Sequence, residues 1–163
     1  MISGIITTLA GTGVAGFSGD DGPAINATLN GPTSVAMLSD IYLYIADTYN
    51  NRIREIDMDK RLITTVAGTG GYGFNDRLFA ISAMLNNPLG VALDLMTTSL
   101  YIADTNNHRI RVVYLGEENL ISTVAGTGVA GYSGDSLQAD KANLSYPAKV
   151  VMTPVLLVTF RIR

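Results

Sequence analysis

The chain has 163 residues, of which 47% are hydrophobic and only 15% are charged, so it reads as a folded domain and not as a disordered segment. Its net charge of −3 argues against general nucleic-acid binding, which needs a basic surface. The absence of cysteine excludes disulfides, thiolate-bound zinc and a thiol nucleophile. No signal peptide or membrane-spanning stretch is recognised, because the longest apolar run, 150–160, contains Pro154 and is short. No compartment can be assigned.

The sequence repeats itself with offsets of 57 and 58 residues. The run Ile-Thr-Thr-Val-Ala-Gly-Thr-Gly at 63–70 has close copies at 6–13 and 121–128. Three further motifs recur in the same order. Leu-x-x-Pro occurs at 29–32, 85–88 and 144–147. Tyr-Ile-Ala-Asp-Thr occurs at 44–48 and 101–105, and Arg-Ile-Arg occurs at 52–54 and 109–111. Fixed spacing of this kind is typical of a repeat architecture.

Within each period, short β-branched and aromatic runs are separated by Gly, Asn, Asp and Pro, and no segment has helical spacing. In chain order, strands are predicted at 5–10, 33–38, 41–46, 52–57, 62–67, 90–94, 99–104, 109–114 and 120–125. Four antiparallel strands per period predict a β-propeller blade. A β-sandwich is the alternative, but it does not require such uniform periods.

We expect a single all-β repeat domain over residues 1–163. Its predicted parts are an orphan outer strand and connecting loop at 5–32, a blade at 33–67, a connecting loop at 68–88, a blade at 89–125, a connecting loop at 126–147 and a truncated blade at 148–163. Two complete blades are too few to close a propeller ring. The chain is therefore expected to be a fragment of a longer propeller or a piece that associates with itself through its exposed blade ends.

The run from Tyr44 to Arg54, Tyr-Ile-Ala-Asp-Thr-Tyr-Asn-Asn-Arg-Ile-Arg, resembles the NHL repeat, and the Ala-Gly-Thr-Gly connection resembles its long-loop variety. The resemblance covers roughly residues 5 to 147, and after Pro147 only Arg161-Ile162-Arg163 is similar to the motif. It implies a β-propeller, usually of six blades, that serves mostly as a partner-binding platform. The family also has RNA-binding and lyase members.

Several motifs have a functional and a structural interpretation, and we expect no cofactor, metal or catalytic residue from them. The Gly-x-Gly-x-x-Gly spacing that begins at Gly11 follows a strand but opens no helix, as dinucleotide binding would require. Asp20, Asp21 and Asp135 provide too few oxygen ligands for calcium and fit Asx turns. His108 is the single histidine, whereas a zinc lyase needs several.

One charged pair flanks the tight turn in each of the two complete blades: Asp47 with Arg52 in the first and Asp104 with Arg109 in the second. One interpretation is a charged pair that faces a ligand. The favoured interpretation is a structural clamp, in which the carboxylate accepts hydrogen bonds from the turn and pairs with the guanidinium.

In a propeller, the turn between the second and third strands lies on the same face as the connection between blades. The candidate ligand face consists of Tyr49, Asn50, Asn51, Asn106, Asn107, His108, Asp20, Asp21 and Asp135. The aromatic residues of the connections, Phe17, Tyr72, Phe74 and Tyr132, would either join this face or pack into the joints between blades.

We predict a non-enzymatic module that binds a protein, a peptide or a small polar ligand through this face, without nucleic-acid or membrane partners. The alternatives are a piece of a propeller lyase or hydrolase whose catalytic residues lie in missing blades, and an RNA-binding domain, which the acidic charge disfavours.

Overall fold

The computed structural model describes residues 4–76, 78–116, 118–152 and 157–159. The described chain is all-β, with short 3-10 turns and no α-helix. The first sheet contains five antiparallel strands, and their bounds are β1 Gly22–Pro23, β2 Pro32–Leu38, β3 Tyr42–Asp47, β4 Arg52–Asp57 and β5 Leu62–Ala67. The second sheet repeats this arrangement with β6 Leu78–Phe79, β7 Pro88–Asp94, β8 Ser99–Asp104, β9 Arg109–Tyr114 and β10 Leu120–Ala125.

Each sheet is an up-and-down meander of four strands with a two-residue strand added at its outer edge. The order is β1-β5-β4-β3-β2 in the first sheet and β6-β10-β9-β8-β7 in the second. The predicted strands at 33–38, 41–46, 52–57 and 62–67 and their counterparts in the second blade are confirmed to within about two residues. The sheets are propeller blades and the ring is not closed, as the sequence predicted.

A third, smaller sheet follows the second blade. It pairs β11, Val150–Met152, with β12, Leu157–Thr159, in antiparallel fashion. Strand β11 contacts β7 on the side opposite to β2. These two strands therefore occupy the place of the first and second strands of a further blade.

The predicted outer strand at 5–10 is not a strand in the structure, and residues 5–9 are exposed. A strand is stable only when a neighbouring strand satisfies its backbone groups, and no described strand pairs with this segment. Ala10 nevertheless packs against the hydrophobic cluster of the first blade that contains Ile45 and Ile56. The segment thus ends at the blade face without forming a ladder.

The long connections at 11–23 and 68–79 each reach the outer edge of the blade that follows them. Residues 22 and 23 pair with Ile63 and Leu62 of β5, and residues 78 and 79 pair with the same positions of β10. A 3-10 turn follows in both cases, at Ala24–Asn26 and at Ala80–Ser82. Because an unpaired outer strand is prone to wrong pairing, each connection protects the edge of the blade that follows it.

The main core lies between the two blades. Tyr44, Ala46 and Ile53 of the first blade pack against a face of the second blade. The residues of that second-blade face are Val91, Leu100, Ile102, Val113 and Ile121, and all of them are buried. Apolar burial between repeats thus supplies the main stabilisation, as is typical of stacked repeats. The part of the chain that the structure describes contains no helix long and apolar enough to cross a membrane.

Candidate binding face

The turns between the second and third strands lie beside the connections between blades. The Asn50 side-chain amide donates to the carbonyl of Gly16 at 2.8 Å, and the Asn51 amide donates to the carbonyl of Gly70 at 3.2 Å. In the second blade, the Asn107 amide donates to Gly73 in the same way. These three predicted residues therefore lie beside the connections. Their side-chain amides bind the loop backbone.

The last residue of each turn bridges to the following blade. Asn51 and His108 adopt the left-handed conformation with φ of 51° and 53°, a conformation that asparagine tolerates better than most residues. The Asn51 side-chain oxygen accepts a hydrogen bond from the backbone N–H of Asn87 at 2.9 Å. His108 Nδ1 accepts the equivalent bond from Tyr146 at 3.2 Å, so His108 substitutes for Asn51 in this joint.

A second joint involves the threonine of the Ala-Asp-Thr motif. The Thr48 hydroxyl donates to the carbonyl of Pro88, and the Thr105 hydroxyl donates to the carbonyl of Pro147, both at 2.8 Å. Both threonines are buried. The recurring threonine and proline therefore connect each blade to the next one.

The carboxylate of Asp47 is buried and has a different partner from the one predicted. It accepts hydrogen bonds from the Asn30 backbone N–H at 2.7 Å and from the Asn50 amide at 2.8 Å, and its ion-pair partner is Arg54 at 3.4 Å. Arg52 instead donates to the carbonyl of Thr69 at 2.6 Å. The clamp therefore exists, but its guanidinium lies two residues further along the strand than predicted.

The second blade repeats this arrangement. Asp104 accepts hydrogen bonds from the Asn86 backbone N–H and the Asn107 amide, both at 2.8 Å, and pairs with Arg111 at 3.2 Å. Arg109 binds the carbonyl of Gly126 at 2.9 Å instead. The same physical reason explains the choice of partner in both blades. The arginine beside the turn, Arg52 or Arg109, reaches the carbonyls of the connection. The arginine two residues further on the same strand face is fully buried, and it therefore needs an anion as its partner.

Burial raises the pKa of the Asp104 carboxyl, and the hydrogen bonds to the carboxylate oppose this increase.

Phe17 and Phe74 are partly exposed, and each ring lies against an arginine of the blade that follows it. The guanidinium of Arg52 lies 3.7 Å from the centre of the Phe17 ring, and that of Arg109 lies 3.9 Å from the centre of the Phe74 ring. Burial lowers the pKa of both arginines. These two aromatic side chains therefore stabilise the connections through cation–π contacts.

The three predicted aspartates have different roles. Asp20 binds the buried Arg54 at 2.7 Å and accepts a hydrogen bond from the Thr65 hydroxyl at 2.7 Å. Asp21 is exposed in a left-handed turn with φ of 63°, and Asp135 is exposed and accepts a hydrogen bond from the Tyr132 hydroxyl. Within the described ranges, no group of three or more His, Cys, Asp or Glu side chains could hold a metal ion.

Besides Asp21 and Asp135, the exposed side chains of this face are mainly tyrosines. Tyr49, Tyr72 and Tyr146 are exposed by 64%, 78% and 61%, and Asn106 is also exposed. Tyr146 was not among the predicted residues, although its position before the recurring proline places it next to the His108 turn. Its ring lies edge-on to His108, with a centroid distance of 4.6 Å. We call Tyr49, Tyr72 and Tyr146 the tyrosine set.

Repeated four-stranded blades, joined through the threonine of the Ala-Asp-Thr turn, define a β-propeller architecture. Residues 85–113 match the family model described as NHL repeat. This match and the two five-stranded antiparallel sheets are consistent with the blades of a partial NHL-repeat β-propeller.

Similar proteins include SUPPRESSOR OF QUENCHING 1, a chloroplastic protein of Arabidopsis thaliana, which is 36% identical over 69% of this chain and 11% of its own length. Human NHL repeat-containing protein 2 is 36% identical over 66% of this chain and 15% of its own length. This chain thus spans only a small part of these relatives.

Solved structures with the same fold include a protein of unknown function from Bacteroides thetaiotaomicron, with a TM-score of 0.64, 21% identity and coverage of 80% of this chain and 32% of that one. A second is an auxiliary nutrient binding protein from the same organism, with a TM-score of 0.51, 23% identity and coverage of 68% of this chain and 29% of that one. At 21% and 23% identity, the two similarities concern the fold alone.

Proposed function

We propose that the chain is a non-enzymatic recognition module that binds a protein or peptide partner through the tyrosine set. The observation that carries this proposal is the exposure of three tyrosines on loops whose backbone carbonyls accept buried or half-buried hydrogen bonds from side chains. Tyrosine offers a large contact area with little conformational entropy to lose, and it is enriched in protein interfaces. A rigid loop also reduces the entropic cost of binding.

The same geometry favours binding over catalysis. The carboxylates that could act as acids or bases, Asp20, Asp47, Asp76 and Asp104, are each paired with a buried arginine. Such pairs hold the fold together, and a catalytic carboxylate must instead reach a substrate. On the predicted ligand face, the amides of Asn50, Asn51 and Asn107 hold the loops, which favours an aromatic contact surface over a small polar ligand.

A displayed library of random peptides, selected on the intact chain, tests the proposal. Enriched peptides should lose most of their binding to the Tyr49→Ala and Tyr72→Ala double variant. Tyr114→Ala is the matched control, because Tyr114 is 54% exposed but ends β9 at the opposite end of the blade. Peptides that bind the double variant as well as the wild type, or that lose binding to the control alone, would contradict the proposal.

A further inference from the structure

Two buried polar atoms of the second blade have no hydrogen-bond partner among the described residues, and they are Arg111 Nε and Thr123 Oγ1. The two residues are direct cross-strand neighbours, since Arg111 of β9 is in register with Thr123 of β10. Directly opposed side chains point to the same face of a sheet, with Cβ atoms about 5 Å apart. The two unpaired atoms therefore belong to one face of the blade, on adjacent strands.

The equivalent threonine of the first blade has a partner. Thr65 lies opposite Arg54 in the same register, and its hydroxyl donates to the Asp20 carboxylate at 2.7 Å. In the second blade, the equivalent carboxylate of Asp76 accepts a hydrogen bond from the Thr123 backbone N–H at 3.1 Å. The Thr123 hydroxyl thus lacks the contact that its counterpart makes.

The other two nitrogens of the Arg111 guanidinium are engaged. Nη1 donates to the Asp104 carboxylate at 3.2 Å. Nη2 donates to the carbonyl of Asn75 at 2.6 Å and to the carboxylate of Asp76 at 3.2 Å. Because Arg111 is fully buried, an unpaired Nε–H is costly, and native proteins commonly satisfy such groups with an ordered water.

The chemistry around these atoms selects a small neutral molecule. The molecule must accept a hydrogen bond from Nε–H, which excludes ammonium and metal cations. The carboxylates of Asp76 and Asp104 already outnumber the single positive charge of Arg111, so an anion would be repelled. The Phe74 ring lies over the guanidinium, with its centre 4.8 Å from the central carbon, and this cover favours a molecule as small as water.

We propose that Arg111 Nε and Thr123 Oγ1 bind a buried water molecule. The water accepts a hydrogen bond from Nε–H and forms a second one with the Thr123 hydroxyl, which provides two of the two to four partners that a buried water needs. Arg111 joins the connection, at Asn75 and Asp76, to the turn at Asp104. The water fixes the orientation of this guanidinium and thereby helps to hold the connection at 68–79 on the blade.

A high-resolution crystal structure of the full chain tests the proposal directly. An ordered water oxygen is expected within about 3.2 Å of both Arg111 Nε and Thr123 Oγ1. Two results would overturn the proposal. One is a site without such a water, and the other is a Thr123 hydroxyl that donates directly to Asp76, as Thr65 donates to Asp20 in the first blade.

Nuclear magnetic resonance of the full chain tests the same site in solution. The Arg111 Nε–H should show a nuclear Overhauser contact to a slowly exchanging water. Thr123→Val keeps the shape of the side chain but removes the hydroxyl, so it should weaken this contact, whereas Thr123→Ser should retain it. Thr65→Val is the matched control in the first blade and should leave the Arg111 signal unchanged. A contact that is missing in the wild type, that survives Thr123→Val, or that Thr65→Val weakens equally would overturn the proposal.

Discussion

The carboxylate of Asp104 lies 3.2 Å from the guanidinium of Arg111, and both side chains are fully buried. The same pair recurs one repeat earlier, so each blade has an ion pair at the end of its second and third strands. Loss of one partner would leave a buried charge without compensation.

Asp104→Ala is therefore expected to lower the free energy of unfolding by about 3 kcal/mol. Asp47→Ala should behave alike, because its carboxylate has the equivalent partners. The measurement is urea unfolding followed by circular dichroism. Asp94→Ala is the control, since Asp94 ends β7 and its carboxylate accepts hydrogen bonds from the Met96 backbone N–H and the Thr97 hydroxyl, without a buried arginine. Equal effects of Asp104→Ala and Asp94→Ala would contradict the structural role of the buried pair.

A double-mutant cycle identifies the true partner of Asp47. Asp47→Ala and Arg54→Ala should be strongly coupled, by about 2 kcal/mol, because each removes the same buried contact. Asp47→Ala and Arg52→Ala should be nearly additive, since Arg52 binds the carbonyl of Thr69. Stronger coupling to Arg52 than to Arg54 would restore the pairing that the sequence predicted.

Tyr146→Asn is expected to stabilise the chain by about 1 kcal/mol. Tyr146 has a φ of 46°, a left-handed conformation that costs energy for a bulky side chain and that asparagine accepts readily. The equivalent residues of the other two repeats, Gly31 and Asn87, suit this conformation already. Tyr114→Asn provides the contrast, because asparagine is disfavoured in a strand. A thermal melt in which both variants are equally destabilised would exclude the explanation by backbone strain.

We expect no binding to RNA or DNA tighter than roughly 10⁻⁴ M at physiological salt, the weak end of non-specific binding. The net charge is −3, and Arg54 and Arg111 are fully buried, so they do not contact phosphates. Fluorescence anisotropy with a labelled single-stranded RNA pool at two salt concentrations measures this. Micromolar binding that weakens steeply with salt would reveal a basic surface that the charge distribution does not indicate.

The sequence predicted the strands of both blades because β-branched runs between turn residues recur in register. It also placed the turn asparagines next to the connections. It did not predict the partner of Asp47, since residue spacing identifies the cross-strand neighbour Arg52 but not the direction in which a long side chain extends. The predicted strand at 5–10 was wrong because a strand pattern says nothing about whether a neighbouring strand is present. The two-residue strands β1 and β6 are too short to have a sequence pattern.

Because the connections at 11–23 and 68–79 both reach the outer edge of the blade that follows them, the sequence of each of these loops is constrained by the strands after it. A segment to be exchanged between such proteins should begin at Gly11 and end at Ala67. It then contains both the connection and the sheet, β2 to β5, with which that connection pairs. A module cut at Thr33 would separate Asp20 from Arg54 and place each of them beside a foreign residue.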